Sequence, residues 1–109
     1  MKHLIIVLIV QIAFTATALA AGNALAGKEK SATCVACHGE NGMSATPMFP
    51  NIAGQYEDYI YHALTSYKNG GRNNAIMTGI STALSDEDMK DLAAYYSSLD
   101  GLHPFGLPE

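Results

Sequence analysis

The only two cysteines of the chain stand in one short stretch, Cys34-Val35-Ala36-Cys37-His38-Gly39. Two thiols at this spacing form a redox disulfide, grip a metal ion, or are bonded to a prosthetic group. Each use demands different surroundings, so these six residues constrain what the rest of the chain can become. A thioredoxin-like pair needs a helix start inside a β-α-β unit. A structural zinc site needs four ligands, usually as two pairs.

The remaining sequence supplies neither setting readily. After residue 20 Val35 is the only valine, alanine is abundant, and no stretch alternates apolar with polar over strand length. Helices are expected instead of strands. For zinc, Cys34, Cys37 and His38 provide three ligands, and the chain holds no second cysteine pair. His62 and His103 stand unpaired and far apart. The third use fits better, because C-x-x-C-H is the attachment signature of c-type heme. Two thiols add across the two vinyl groups on one porphyrin edge, and the next residue is then held beneath the iron. A histidine there becomes the proximal ligand.

Size and charge agree with that reading. A chain of 109 residues makes one small domain. Its start, Lys2-His3 followed by the apolar run Leu4 to Phe14 and by Ala18-Leu19-Ala20, has the form of an export signal. Residues 1–20 are therefore expected to be cleaved after Ala20. The rival is an uncleaved membrane anchor, which Gln11, Thr15 and Thr17 disfavour by diluting the apolar run. A second Ala-x-Ala at residues 24–26 offers another cut site. What remains, residues 21–100 with a tail over 101–109, buries little surface and needs a staple. A bridge between Cys34 and Cys37 would close a tiny loop and stabilise little; a covalent heme would fill the core. The net charge of −4, more acidic still without Lys2, gives no footprint for nucleic acid.

Three helices can be placed. The first, about 23–33, delivers the chain to Cys34. The second, 55–69, repeats Tyr56, Tyr59, Ile60, Ala63, Leu64 and Tyr67 at helical spacing, with Asp58 and His62 opposite and Asn69-Gly70-Gly71 as its stop. The third, 85–99, has Ser85 as N-cap, acidic residues 86–88 at the positive end of its dipole, and Met89, Leu92, Ala93, Tyr96 and Leu99 on its inner face. Two long irregular stretches, 39–54 and 71–84, remain, and loops of that length in so small a domain usually carry function.

A second axial ligand should come from a methionine, since a histidine–methionine pair fills both iron positions and raises the potential. Met89 belongs to a buried helix face, and Met43 is too near His38. Met77 lies in the second long stretch, between two helices, where backbone is expected to be free to aim sulfur at iron. It is the favoured ligand, with Met48 as the alternative. His62, opposite the apolar stripe, reads as a surface histidine.

With these parts in hand, the chain resembles the class I cytochromes c, in particular the small soluble bacterial type that is duplicated in some diheme cytochromes. The likeness rests on AGKEKSATCVACHGENG, FPNIAGQYEDYIYHALTSYKNGGR, NAIMTGIS and ALSDEDMKDLAAYYSSL, in that order. It implies an all-α fold of three main helices with long loops wrapped around one covalently bound heme c. Cys34 and Cys37 would carry the thioethers, and His38 and Met77 the iron. Pro50 matches the proline whose carbonyl accepts the other ring N–H of the histidine, fixing its orientation. Arg72 matches a residue that pairs with a heme propionate. Gly27 and Ala94-Tyr95-Tyr96 match the crossing of the first and last helices.

The function expected from this resemblance is one-electron transfer in the periplasm, with redox proteins docking at the heme edge and no small-molecule substrate. With both axial positions filled, no enzyme activity is expected. A different expectation keeps the fold but makes the chain the electron-accepting subunit of a larger dehydrogenase or oxidase. Membrane association would follow only from an uncleaved leader.

Overall fold

A computed structural model describes residues 21–102. The export segment expected over 1–20 and most of the tail, with His103, lie outside them. Among the described residues the secondary structure is entirely helical: α1 (Ala24–Lys30), α2 (Ala32–His38), α3 (Glu57–Asn69), α4 (Ala75–Thr82) and α5 (Asp86–Ser97). The all-α expectation holds. Five helices stand where three were expected, and both additions bear on the site.

The first expected helix breaks at Ser31. Asn23 caps α1 by accepting from the Ala26 N–H at 3.1 Å. At the other end the Ser31 hydroxyl donates to the Lys28 carbonyl at 2.6 Å, competing with continued helix. The chain then restarts as α2, with the Ser31 carbonyl accepting from the Cys34 N–H at 2.8 Å. Gly39 ends α2 at φ +84, where a Cβ would lie 2.0 Å from the Met43 carbonyl oxygen. Only glycine allows so tight a reversal directly after His38.

The stretch 71–84, expected to be irregular, contains α4. Asn74 is its N-cap, accepting from the Met77 N–H at 3.0 Å. Met77 therefore sits in the first turn of a helix and not on free loop backbone. The helix is inconspicuous in sequence because Thr78, Gly79, Ser81 and Thr82 are weak helix formers.

Helix α3 ends at Gly70 in the left-handed conformation, as its glycines suggested. Its apolar stripe is narrower than expected. Ile60 and Leu64 are buried, whereas Tyr56 and Tyr59 are about half exposed, at 53% and 51%. Tyr56 is only the N-cap of α3, and the buried face begins one turn later.

Helix α5 is the centre of the molecule. It opens with a capping box: the Ser85 hydroxyl accepts from the Asp88 N–H at 3.0 Å, and the Asp88 carboxylate accepts from the Ser85 N–H at 2.9 Å. Met89, Leu92, Ala93, Tyr95 and Tyr96 join Ile60 and Leu64 in one core. Helices α1 and α3 both pack on α5, and α4 packs on α3. At the α1–α5 crossing a Cβ on Gly27 would lie 2.0 Å from the Asp91 carbonyl oxygen and 2.7 Å from Tyr95 Cβ. Asp91, 4% exposed, accepts from the Asn23 N–H at 2.7 Å and from Lys30 Nζ at 2.6 Å. The backbone N–H, then the lysine, hold its pKa below the usual carboxylate value.

The stretch 39–54 is tied down at both ends. Gly42 accepts from the N–H groups of Ile52 and Ala53, and Gly54 donates to the Tyr96 carbonyl at 2.9 Å. It thus arches from the end of α2 to the C-terminal half of α5.

Candidate functional site

Helix α2 carries Cys34, Cys37 and His38 within one turn. The two cysteines are free thiols, half-buried. Cys34 packs against the core cluster that contains Tyr96, and burial pushes its thiol pKa up. Among the described residues no three His, Cys, Asp or Glu side chains converge to hold a metal ion.

His38 is buried at 7% exposure. Its Nδ1 lies 2.8 Å from the Pro50 carbonyl oxygen, twelve residues along. A carbonyl only accepts, so this bond puts the proton on Nδ1 and leaves the Nε2 lone pair to act as a ligand. The bond also fixes the ring plane. Pro50 therefore meets His38 as the resemblance implied.

Of the methionines, Met89 is 4% exposed within the core, and Met43 and Met48 are 47% and 80% exposed. Met77 is the one that is half-buried, packed against the core from α4. Helix α2 packs on α1 and on no other described helix to a comparable extent. A groove of about 320 Å³ runs from Lys30 and Thr33 across to Gly79, Ile80, Ala83 and Leu84. Thr33, the residue before Cys34, and Gly79 and Ile80 of α4 thus line one groove, whose lining includes neither cysteine, His38 nor Met77. Lys30 and Asp88, paired at 2.9 Å, stand at its rim.

Arg72 is exposed, and its guanidinium lies 4.9 Å over the Tyr67 ring. That stacking is a contact the sequence did not suggest. His62 is exposed, at a more open depression that it lines with Tyr56, Glu57, Asp58 and Tyr59.

Three buried hydroxyls have no hydrogen-bond partner: Thr65 Oγ1, Ser81 Oγ and the Tyr96 phenol. Such groups are uncommon and costly when isolated. The sequence reading placed Tyr96 on the inner face of its helix but did not anticipate the buried hydroxyls of Thr65 and Ser81, since short hydroxyl residues on a helix ordinarily face water.

The chain matches the family model for cytochrome c over residues 19–100. It belongs to the cytochrome c family. It is 45% identical over 98 residues to cytochrome c4 of Pseudomonas aeruginosa, covering 90% of this chain and 49% of that one. With cytochrome c-554(548) of Halomonas halodenitrificans it shares 48% identity over 81 residues, 72% of this chain and 98% of the relative. A thiosulfate dehydrogenase electron acceptor from Thiomonas intermedia is 39% identical over 84 residues, 76% of this chain and 37% of the relative. Among solved structures, reduced recombinant cytochrome c4 from Pseudomonas stutzeri superposes with a TM-score of 0.72 at 45% identity, over 75% of this chain and 48% of that one. The chain therefore spans about half the length of the cytochrome c4 relatives and nearly all of the c-554(548) relative. Its fold is that of the class I cytochromes c, and membership of the family implies covalently bound heme c.

Proposed function

We propose that this chain is a periplasmic one-electron carrier holding a single heme c. The observation that carries the reading is the 2.8 Å contact between His38 Nδ1 and the Pro50 carbonyl, which turns the histidine of C-x-x-C-H into an oriented Nε2 donor. In this reading Cys34 and Cys37 would carry the thioethers, while His38 Nε2 and Met77 Sδ would hold the iron. The donor set fits the group: two cysteines one turn apart, a buried imidazole with one nitrogen engaged, and a thioether half-buried against the core.

Heme, when bound, supplies one-electron Fe(III)/Fe(II) chemistry, and the chain sets where that equilibrium lies. His38, its donor strength raised by Pro50, favours the ferric state; the softer Met77 sulfur favours the ferrous state. Arg72, held over Tyr67, would pair with a propionate, and two side-chain ligands on the iron would leave it to electron transfer. Export through residues 1–20 places the protein in the periplasm. Electrons pass to partner proteins across the heme edge, through a small transient interface.

Acid–acetone extraction of the denatured, purified protein tests the core of this reading. Heme should stay with the polypeptide at one per chain; release of all heme into the solvent would refute covalent attachment.

A second reading, an electron-accepting subunit of a larger dehydrogenase, draws on the relative named for thiosulfate dehydrogenase. Size-exclusion chromatography of a periplasmic extract separates the two. A free carrier elutes at the mass of a single small domain, and a subunit elutes with a catalytic chain.

A further inference from the structure

The positive charges of the described chain are almost all engaged within the fold. Lys30 pairs with Asp88 and Asp91, Lys90 pairs with Asp86, Lys68 donates to the Leu84 carbonyl, and Arg72 lies over Tyr67. Among the described residues only Lys28 is left without such a contact. Six carboxylates, those of Glu29, Glu40, Glu57, Asp58, Glu87 and Asp100, have no ion-pair partner among the described residues. The charge left facing water is therefore almost wholly negative.

Glu57 and Asp58 differ from the other four in what stands beside them. Tyr56 and Tyr59 flank them, and these are the only exposed aromatic side chains among the described residues. The other tyrosines are engaged: Tyr61 donates to Asp86, Tyr67 lies under Arg72, and Tyr95 and Tyr96 belong to the core. With His62, the four residues 56–59 line a shallow depression of about 640 Å³. At 100° per residue, Asp58 and His62 stand on the opposite side of α3 from Ile60 and Leu64, so this depression lies outside the core. The dipole of α3 accounts for carboxylates in its first turn. It gives no reason for two tyrosine rings to stand half in water beside them. Tyrosine supplies interfaces with apolar area and a polar tip, and charge beside it selects the partner and speeds its approach.

We propose that the start of α3 is a docking face for a basic protein, one presenting lysine or arginine side chains around an apolar centre. The carrier reading enters in one respect: it makes that protein a redox partner. The apolar centre covers Tyr56 and Tyr59, and the surrounding cations meet Glu57 and Asp58. A second copy of this chain is a poor occupant, because it has almost no free cation to present and would set carboxylate against carboxylate. A face this small suits the transient contacts of redox proteins.

The test is an NMR titration of the heme-loaded full chain with two short peptide probes, one alternating lysine with leucine and one alternating glutamate with leucine. The lysine probe should shift the amide signals of residues 56–62 saturably, and the glutamate probe should not. Joint replacement Glu57→Gln and Asp58→Asn should weaken lysine-probe binding on the order of tenfold, and Tyr56→Ser about fivefold. Glu29→Gln, which removes an unpaired carboxylate from α1, should leave that binding unchanged. Equal binding of both probes would overturn the proposal, as would shifts centred outside α3 or an equal loss in Glu29→Gln. Shifts of the same amides on raising the protein concentration alone would make a second copy the occupant, and that too overturns it. Release of all heme on acid–acetone extraction, with lysine-probe binding intact at residues 56–62, would refute the carrier reading and still support the docking face.

Discussion

The α1–α5 crossing and the cleft between α2 and α4 are built on opposite plans. At the crossing most groups are matched, the Tyr96 phenol excepted. Gly27 lets two backbones touch, Asp91 has both a backbone N–H and Lys30, and Leu92 and Ala93 are fully enclosed. On α4, Ser81 is an unpaired buried hydroxyl and Ile76 is 58% exposed, while α2 leans on α1 alone among its larger helix contacts. This region leaves a buried donor and apolar surface without a partner among the described residues. One half of the molecule is a frame, and the other is a mount.

That division can be broken from either side. The largest effect is expected at the frame. Gly27→Val puts side-chain carbons where the Asp91 carbonyl and Tyr95 stand, and should cost about 3 kcal/mol or more in a urea titration of the heme-loaded protein. A small loss there would mean that the helices part easily and the frame is not a unit. Next comes the mount. Met77→Ala should abolish the sulfur–iron charge-transfer band and lower the potential, while far-UV circular dichroism keeps its helical form. An unchanged band would move the ligand to another methionine, with Met48 the first candidate.

The smallest effect separates the regions by pH. Asp88 is held down to about 2, chiefly by the Ser85 N–H and then by Lys30. Asp86 is lowered by Lys90 and then Tyr61, and Asp91 by the Asn23 N–H and then Lys30. All three belong to α5 and the elements it grips. A depressed folded pKa gives stability that is fully present above the unfolded value and is lost as pH falls through the folded one. Stability should therefore decline from about pH 4 to about pH 2. Asp88→Asn should flatten that decline in thermal melts across the range. An undiminished slope in the variant would place the acid-sensitive carboxylates elsewhere.

Much of this was legible in the sequence, and unevenly so. His38 and the two cysteines stood out because the attachment chemistry of c-type heme fixes their spacing. Helix α5 announced itself through Ser85 and three acidic residues, all strong local signals. Gly70 marked the end of α3 because a left-handed residue is needed there. Helix α4 was hidden, since its residues are poor helix formers and its stability comes from the Asn74 cap and from packing on α3. The break at Ser31 was hidden too, because a serine in ordinary right-handed conformation interrupts the helix where no glycine or proline gives warning. The role of Tyr56 was over-read: spacing alone assigned it to the core, but a residue at the cap has no turn before it to pack with. Burial of Ser81 had no local signal at all, being a product of tertiary packing.

One contact joins these themes. The bond from His38 to Pro50 spans twelve residues and closes them into a ring, beside the bonds that Gly42 accepts from Ile52 and Ala53. Loop-closure entropy rises only slowly with length, so a clasp of this kind holds a ring of that size at modest cost. The imidazole is therefore shared between two tasks, gripping what lies beneath Nε2 and keeping an arch of chain shut through Nδ1. The Ile52 and Ala53 amides, just past Pro50 and bonded to the Gly42 carbonyl, become reporters of the histidine's engagement, and their exchange with solvent water should quicken whenever the imidazole lets go.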